Sequence, residues 1–383
     1  MCGRVTEGIT KKHFARLYPY EPVLKQNRMM KTFTYPLLPV DIVFHPSWWN
    51  KHTGIIFDED FFYHPVRRVE DERRMEKELY ERFGEFGLGA DKDKDLPQIG
   101  AVHLAAGYLL SEMLGCKIEY SDNSSPQVIC PYREDFEIDE EAAFQSSDFK
   151  KLLKLIEALK AKYGYVCGDI NWGGVLNLAI DLKGENALMD MVMQPEECEQ
   201  YFQKIARVVE RFFTFIQSQS DTNSISVNRV VRHIEKPVYL HSECTHTMIS
   251  EEDYRRFLFP IDAIWSRKYR PYGIHYCGRD PHRHAAAYGD LPFLDFFDLG
   301  WGGDIAEIRK HLPSTLLNIR LDPTAINSYS HAEIEKIITD GIAASGNPYL
   351  TGVCCINMDA ETDDEKVRTI FRTVEAARQY IKG

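Results

Sequence analysis

The triplet His275-Tyr276-Cys277 closes the apolar run Tyr272-Gly273-Ile274, and a later apolar run ends in the thiol pair Cys354-Cys355. Side chains two apart on a β-strand point to the same face, so His275 and Cys277 are expected to project together from one strand end. Imidazole plus thiolate is zinc chemistry, and Cys354 can supply a third ligand from another strand. Three protein ligands leave one tetrahedral position open for substrate or water, which distinguishes a catalytic zinc site from a closed structural one. Glu243 ends the run before and extends the set to Glu/His/Cys/Cys, its carboxylate either a ligand or a nearby base. Cysteine is also an ordinary small core residue. Cys116, Cys130, Cys167 and Cys244 are read that way, and His246, His282 and His284 as surface or supporting histidines.

These residues need strands that end at a common place. From residue 147 onward, short apolar runs alternate with helical spacing. A helix over Ser147 to Lys162 leads into a strand over Tyr163 to Ile170, and a long helix over Glu196 to Gln217 carries Ile205, Val208, Val209, Phe212 and Phe213 on one face. Strands are expected near 237–243, 273–277, 292–297, 315–320 and 349–354, with helices near 251–268, 303–311, 331–344 and 363–381. Buried strands alternating with amphipathic helices form a parallel sheet with right-handed crossovers. About eight such strands favour a closed (β/α)8 TIM-like barrel over a doubly wound open sheet.

The expected domains are an N-terminal helical lead-in over 1–35 and one barrel domain over 36–383. A first strand over Leu38 to His45 is followed by an aromatic loop with Trp48 and Trp49, and the charge-dense stretch 67–95 reads as a solvated helix and loop. A short helix is expected over His103 to Gly115. In such a barrel the active site lies at the C-terminal strand ends. Asp169 ends a strand there, and His45, Trp48, Asn171, Trp172 and His241 collect there as candidates for holding substrate, with Trp49 and Trp301 as further aromatic residues at the mouth.

Composition excludes several classes. The net charge of −12 argues against a nucleic-acid surface. No apolar run approaches the roughly 20 residues of a membrane span, and the start Met1-Cys2-Gly3-Arg4 lacks the apolar core of a secretory signal. Nine cysteines, an odd number, fit reduced thiols in the cytoplasm better than a disulfide framework. No G-x-G-x-x-G or P-loop pattern is present.

From about Val238 to Lys382 the sequence resembles the uroporphyrinogen decarboxylase superfamily, whose fold is a distorted (β/α)8 barrel. The resemblance lies in Glu243-Cys-Thr-His-Thr-Met-Ile-Ser250, Ile274-His-Tyr-Cys-Gly278, Asn318-Ile-Arg-Leu-Asp-Pro323 and Tyr349-Leu-Thr-Gly-Val-Cys354. It extends more weakly over 100–210, through Ser111-Glu-Met-Leu-Gly115. The Asp-Pro segment implies a substrate-binding role for Asp322. True decarboxylases of this superfamily carry an R-Q-A-G-R segment after the first strand, where this chain has Phe44-His-Pro-Ser-Trp-Trp-Asn50, and an aspartate where it has Ala106. The other branch, zinc-dependent methyltransferases working with corrinoid proteins, carries H-x-C plus a later cysteine. That match implies zinc ligands His275, Cys277 and Cys354, with Cys355 facing away and Val353 departing from the usual glycine. It also implies a corrinoid (cobalamin) on a separate partner protein, since this chain has no D-x-H-x-x-G signature. The methyl group would move to or from a small thiol, methyl ether or methylamine, with decarboxylation of a uroporphyrinogen as the alternative.

Overall fold

The computed structural model describes residues 35–90, 97–100, 108–169, 172–220, 234, 236 and 238–382. The expected lead-in helix and Asn171 therefore lie outside the described residues. The strands are β1 (Val40–Phe44), β2 (Gln98–Gly100), β3 (Lys117–Glu119), β4 (Gln127–Ile129), β5 (Cys167–Asp169), β6 (Tyr239–Ser242), β7 (Tyr272–His275), β8 (Phe296–Asp298), β9 (Leu316–Leu321) and β10 (Thr351–Met358). Six form one curled sheet in the order β1-β10-β9-β8-β7-β6, every neighbour parallel. Parallel sheets are covered on both faces, and β1, β6, β7, β8 and β9 are accordingly buried at every position.

The longer helices are α1 (Pro65–Phe83), α2 (Ser147–Tyr163), α3 (Pro195–Ser220), α4 (His331–Ala344) and α5 (Asp364–Lys382). They form because apolar residues recur on one face: α3 buries Tyr201, Phe202, Ile205, Val208, Val209, Phe212, Phe213 and Ile216. One large apolar cluster packs α2 and α3 with residues of β6 to β8, and a second packs α1, α4 and α5 against β1 and β10. Inside the curl, Val43, Cys354 and Ile356 form a small group of their own. The chemistry-bearing side chains His275, Asp298, Asn318 and Arg320 share one face of the sheet.

Three expectations need correction. The sheet is a curled half-barrel and not a closed (β/α)8 barrel: among the described residues β2 and β5 pair only with each other, and a lone bridge, Gly173 to Ser242, joins their neighbourhood to β6. Trp48 and Trp49 do not form a loop. They lie on a helix, Pro46–Thr53, that has proline in its first turn, His45 as N-cap and a left-handed Gly54 at its end. Nor is the charge-dense stretch wholly solvated: Arg68 and Glu72 of α1 are fully buried and form an ion pair at 3.0 Å, and Glu72 accepts a hydrogen bond from Gln98 of β2. A buried pair one helical turn apart satisfies both charges locally.

Candidate metal centre

The parallel register brings the C-terminal ends of β6, β7 and β8 together. Just past the strands the Glu243 amide donates to the His275 carbonyl and the Tyr276 amide to the Asp298 carbonyl, so Cys244, Cys277 and Asp298 leave the sheet side by side. Cys244 opens a short 3-10 turn, Cys244–Met248. Ligand atoms of Cys244, His275 and Cys277 all lie within 4.8 Å of one another. Among the described residues this is the one such group of histidine, cysteine and acidic side chains.

The orientation of His275 is fixed from behind. Its Nδ1 donates to Oδ2 of the fully buried Asp298, which leaves Nε2 to face the thiols. The other oxygen of Asp298 accepts from Asn318 Nδ2 at 3.2 Å. A carboxylate holding the far nitrogen of an imidazole sets its tautomer and raises its basicity as a ligand. Burial and Arg320 both oppose charge on His275, yet the Asp298 carboxylate outweighs them and raises its pKa. Between the sulfurs, a hydrogen bond from the Cys244 thiol lowers the pKa of Cys277 well below its ordinary value against the effect of burial, with Arg320 and His275 assisting. The same hydrogen bond, with burial, raises Cys244. Two sulfurs and an imidazole, oriented by a carboxylate, are a donor set that fits a thiophilic divalent ion such as zinc.

Cys354 comes from the opposite side of the inner face. It pairs in register with Arg320 of β9 and Asp41 of β1, and its Sγ lies 3.5 Å from Asp298 Oδ1. Cys355 faces the helical layer, 3.7 Å from the Leu321 carbonyl. Period-two alternation thus separates the two neighbouring thiols.

Glu243 turns away from the thiols into a second buried polar group. Its carboxylate accepts from the Val175 amide at the start of the helix Val175–Lys183, and burial raises its pKa well above the ordinary value, with Asp262 adding to the rise. Gly174 makes this possible, since a Cβ there would lie 2.1 Å from the Glu243 carboxyl carbon. Glu243 Oε2 is 3.4 Å from His246 Nε2, and neither atom has a hydrogen-bond partner among the described residues. His246 Nδ1 lies 2.8 Å from the Tyr288 hydroxyl. Asp262 accepts from Tyr254 and Tyr272 at 2.7 and 2.6 Å.

The remaining sequence candidates are dispersed. His241 lies in the outer layer, stacked on Trp265 and accepting from Trp172 Nε1 at 3.1 Å; burial pushes its pKa down to about 3. Trp172 packs there with Phe213. Trp48 is fully buried, stacked on Phe44 with ring centroids 3.9 Å apart. His45 caps its helix through Ser47, and Asp322 caps the helix Pro323–Ser328 through Thr324 and Ala325. Sequence reasoning missed Cys244, Asp298 and Arg320 at the centre. A legible signal existed for the first two: each closes an apolar run, as Glu243 and Cys277 do.

The profile of the family described as Uroporphyrinogen decarboxylase (URO-D) matches residues 101–377. The chain belongs to this family. The half-barrel is consistent with the TIM-like barrel of the URO-D type. Among solved structures, a methyltransferase from Methanosarcina mazei aligns at 14% identity with a TM-score of 0.61, covering 93% of this chain and 97% of that one. A B12-independent methionine synthase from Shewanella sp. W3-18-1, in complex with selenomethionine, aligns at 9% identity and a TM-score of 0.47 over 90% of this chain and 98% of its own. No curated protein matches the sequence. Among the described residues, no helix is long and apolar enough to cross a membrane.

Proposed function

We propose that this URO-D family member is a zinc-dependent methyltransferase that moves a methyl group between a corrinoid carried by a partner protein and a small thiol, methyl ether or methylamine. One observation carries the reading: two thiols and an imidazole converge at strand ends, with Asp298 holding the far nitrogen of that imidazole. His275 and Cys277 are the first two ligands of the metal. The short distances support Cys244 as the third, and Cys354, on the inner face beside Asp298, is the next sulfur available. Zinc, when bound, would keep a sulfur ligand as thiolate or polarise an ether oxygen.

The chain's own residues do the rest. Asp298 and Asn318 hold the imidazole in the tautomer that presents Nε2. Glu243 faces His246 and the Val175 amide, away from the sulfurs, so neither the ligand role nor the base role expected for it has a contact behind it. The fold shared with the Methanosarcina mazei methyltransferase supports the reading. Decarboxylation of a uroporphyrinogen has less support, because Phe44-His-Pro-Ser-Trp-Trp-Asn50 offers no arginine where the substrate's carboxylates would need cations. Burying several of them unpaired would be prohibitive.

Elemental analysis tests the proposal. Purified protein should carry about one zinc per chain, lost in Cys277→Ala and kept in Cys355→Ala, while Cys244→Ala and Cys354→Ala decide the third ligand. Methyl transfer from methylcobalamin to a thiol should accompany the zinc. Metal retained by Cys277→Ala, or release of carbon dioxide from uroporphyrinogen at the rate of a true decarboxylase, would refute it.

A further inference from the structure

Arg320 stands inside the cluster. It lies on β9 with its side chain on the inner face, in register with Cys354. Its Nη1 is 3.2 Å from Cys277 Sγ and its Nη2 3.2 Å from His275 Nε2, while Asp298 Oδ2 is 3.8 Å from Nη2. The side chain is buried, and among the described residues its Nε has no partner. The indole of Trp301 lies 6.0 Å from the guanidinium carbon.

Arg320 Nη2 also lies 3.5 Å from Nδ1 of the same His275 ring, so the guanidinium covers the side of the imidazole while Nη1 takes up the Cys277 sulfur. A metal held by Cys277 and Nε2 would have to share that space. A guanidinium is also permanently charged, so a divalent cation entering beside it meets direct repulsion at close range. We propose that Arg320 and the metal are alternative occupants of the site: the guanidinium closes the Cys277–His275 pair in the metal-free protein, and metal binding requires it to withdraw. This rests on the zinc reading above. It makes Arg320 a residue that sets metal affinity, and it gives the metal-free protein an internal cation that holds the ligands in place.

The test is metal affinity itself, measured by competition with a chromophoric chelator on apo-protein, using zinc and, for its thiolate absorption, cobalt(II). Arg320→Gln removes the charge and keeps a polar end. It should bind zinc about 10- to 100-fold more tightly than wild type, the range over which groups beside ligands ordinarily move metal affinity. Arg320→Lys, which keeps the charge, should stay nearer to wild type. A wild-type measurement covers the case in which the variants fold poorly: in protein labelled with 15N-arginine, zinc should shift the guanidinium signals of one protected arginine. If Arg320→Gln folds and binds zinc no more tightly than wild type, or if no guanidinium signal moves while zinc binds, the inference is wrong and the zinc site stands. If wild type, Arg320→Gln and Cys277→Ala all fail to bind zinc or cobalt, the metal reading itself falls and this inference with it.

Discussion

Replacing Asp298 by asparagine should weaken zinc binding without unfolding the protein. The carboxylate uses both of its oxygens: Oδ2 receives the His275 Nδ1–H, and Oδ1 receives the Asn318 amide at 3.2 Å. An amide of the same shape has one acceptor and one NH2. Whichever way the substituted amide turns, one neighbouring donor faces another donor in a fully buried place. If the amide oxygen faces Asn318, the imidazole is pushed to the other tautomer, with its proton on Nε2 where the metal needs a lone pair. If it faces His275, the charge that made the imidazole a strong ligand is still gone. Loss of such a partner ordinarily lowers metal affinity about 10- to 100-fold, which is about 1.4–2.8 kcal/mol. Chelator competition on apo-protein measures this directly, with chemical denaturation to show that the fold survives. Zinc affinity within about twofold of wild type, in a folded variant, would show that Asp298 does not orient the ligand and would undo the argument for a built metal centre.

Two further outcomes follow from packing and from burial. Trp48→Ala should cost about 3–5 kcal/mol of stability by denaturant unfolding, because the indole is fully enclosed between Phe44 and its neighbours; a cost under about 1 kcal/mol would return Trp48 to the mouth of the site. Burial pushes the pKa of Asp262 up to about 6 from 3.8, against the hydrogen bonds from Tyr272 and Tyr254. A carboxyl raised in the folded state contributes stability that is complete below its unfolded value and lost as pH rises through the folded one. Stability should therefore fall between about pH 4 and pH 6, and further where Glu243 ionises. Asp262→Asn should flatten that decline, measured as unfolding free energy against pH, and an unchanged profile would assign it to other groups.

The sequence alone determined most of the elements on the C-terminal side. The runs ending at His275, at Arg320 and at Cys354 are strands, and the helical spacings over 147–162, 196–217, 331–344 and 363–381 are helices within three residues at either end. Local periodicity suffices there because each element buries one face or both. The same alternation separated Cys354 from Cys355. Three-dimensional pairing decided the rest. Whether the sheet closes depends on ladders between distant segments, and among the described residues the short strands β2 and β5 join neither edge of the six-stranded sheet. Trp48, Trp172 and His241 all sit near strand ends in the sequence, but the helices stacked outside take their rings, since an indole or imidazole face there meets aromatic neighbours. Cys244, Asp298 and Arg320 reach one centre only because β6, β7, β8 and β9 lie side by side in register. Spacing along one chain cannot report which neighbouring strand will bring a second thiol, a carboxylate or a cation to the same imidazole.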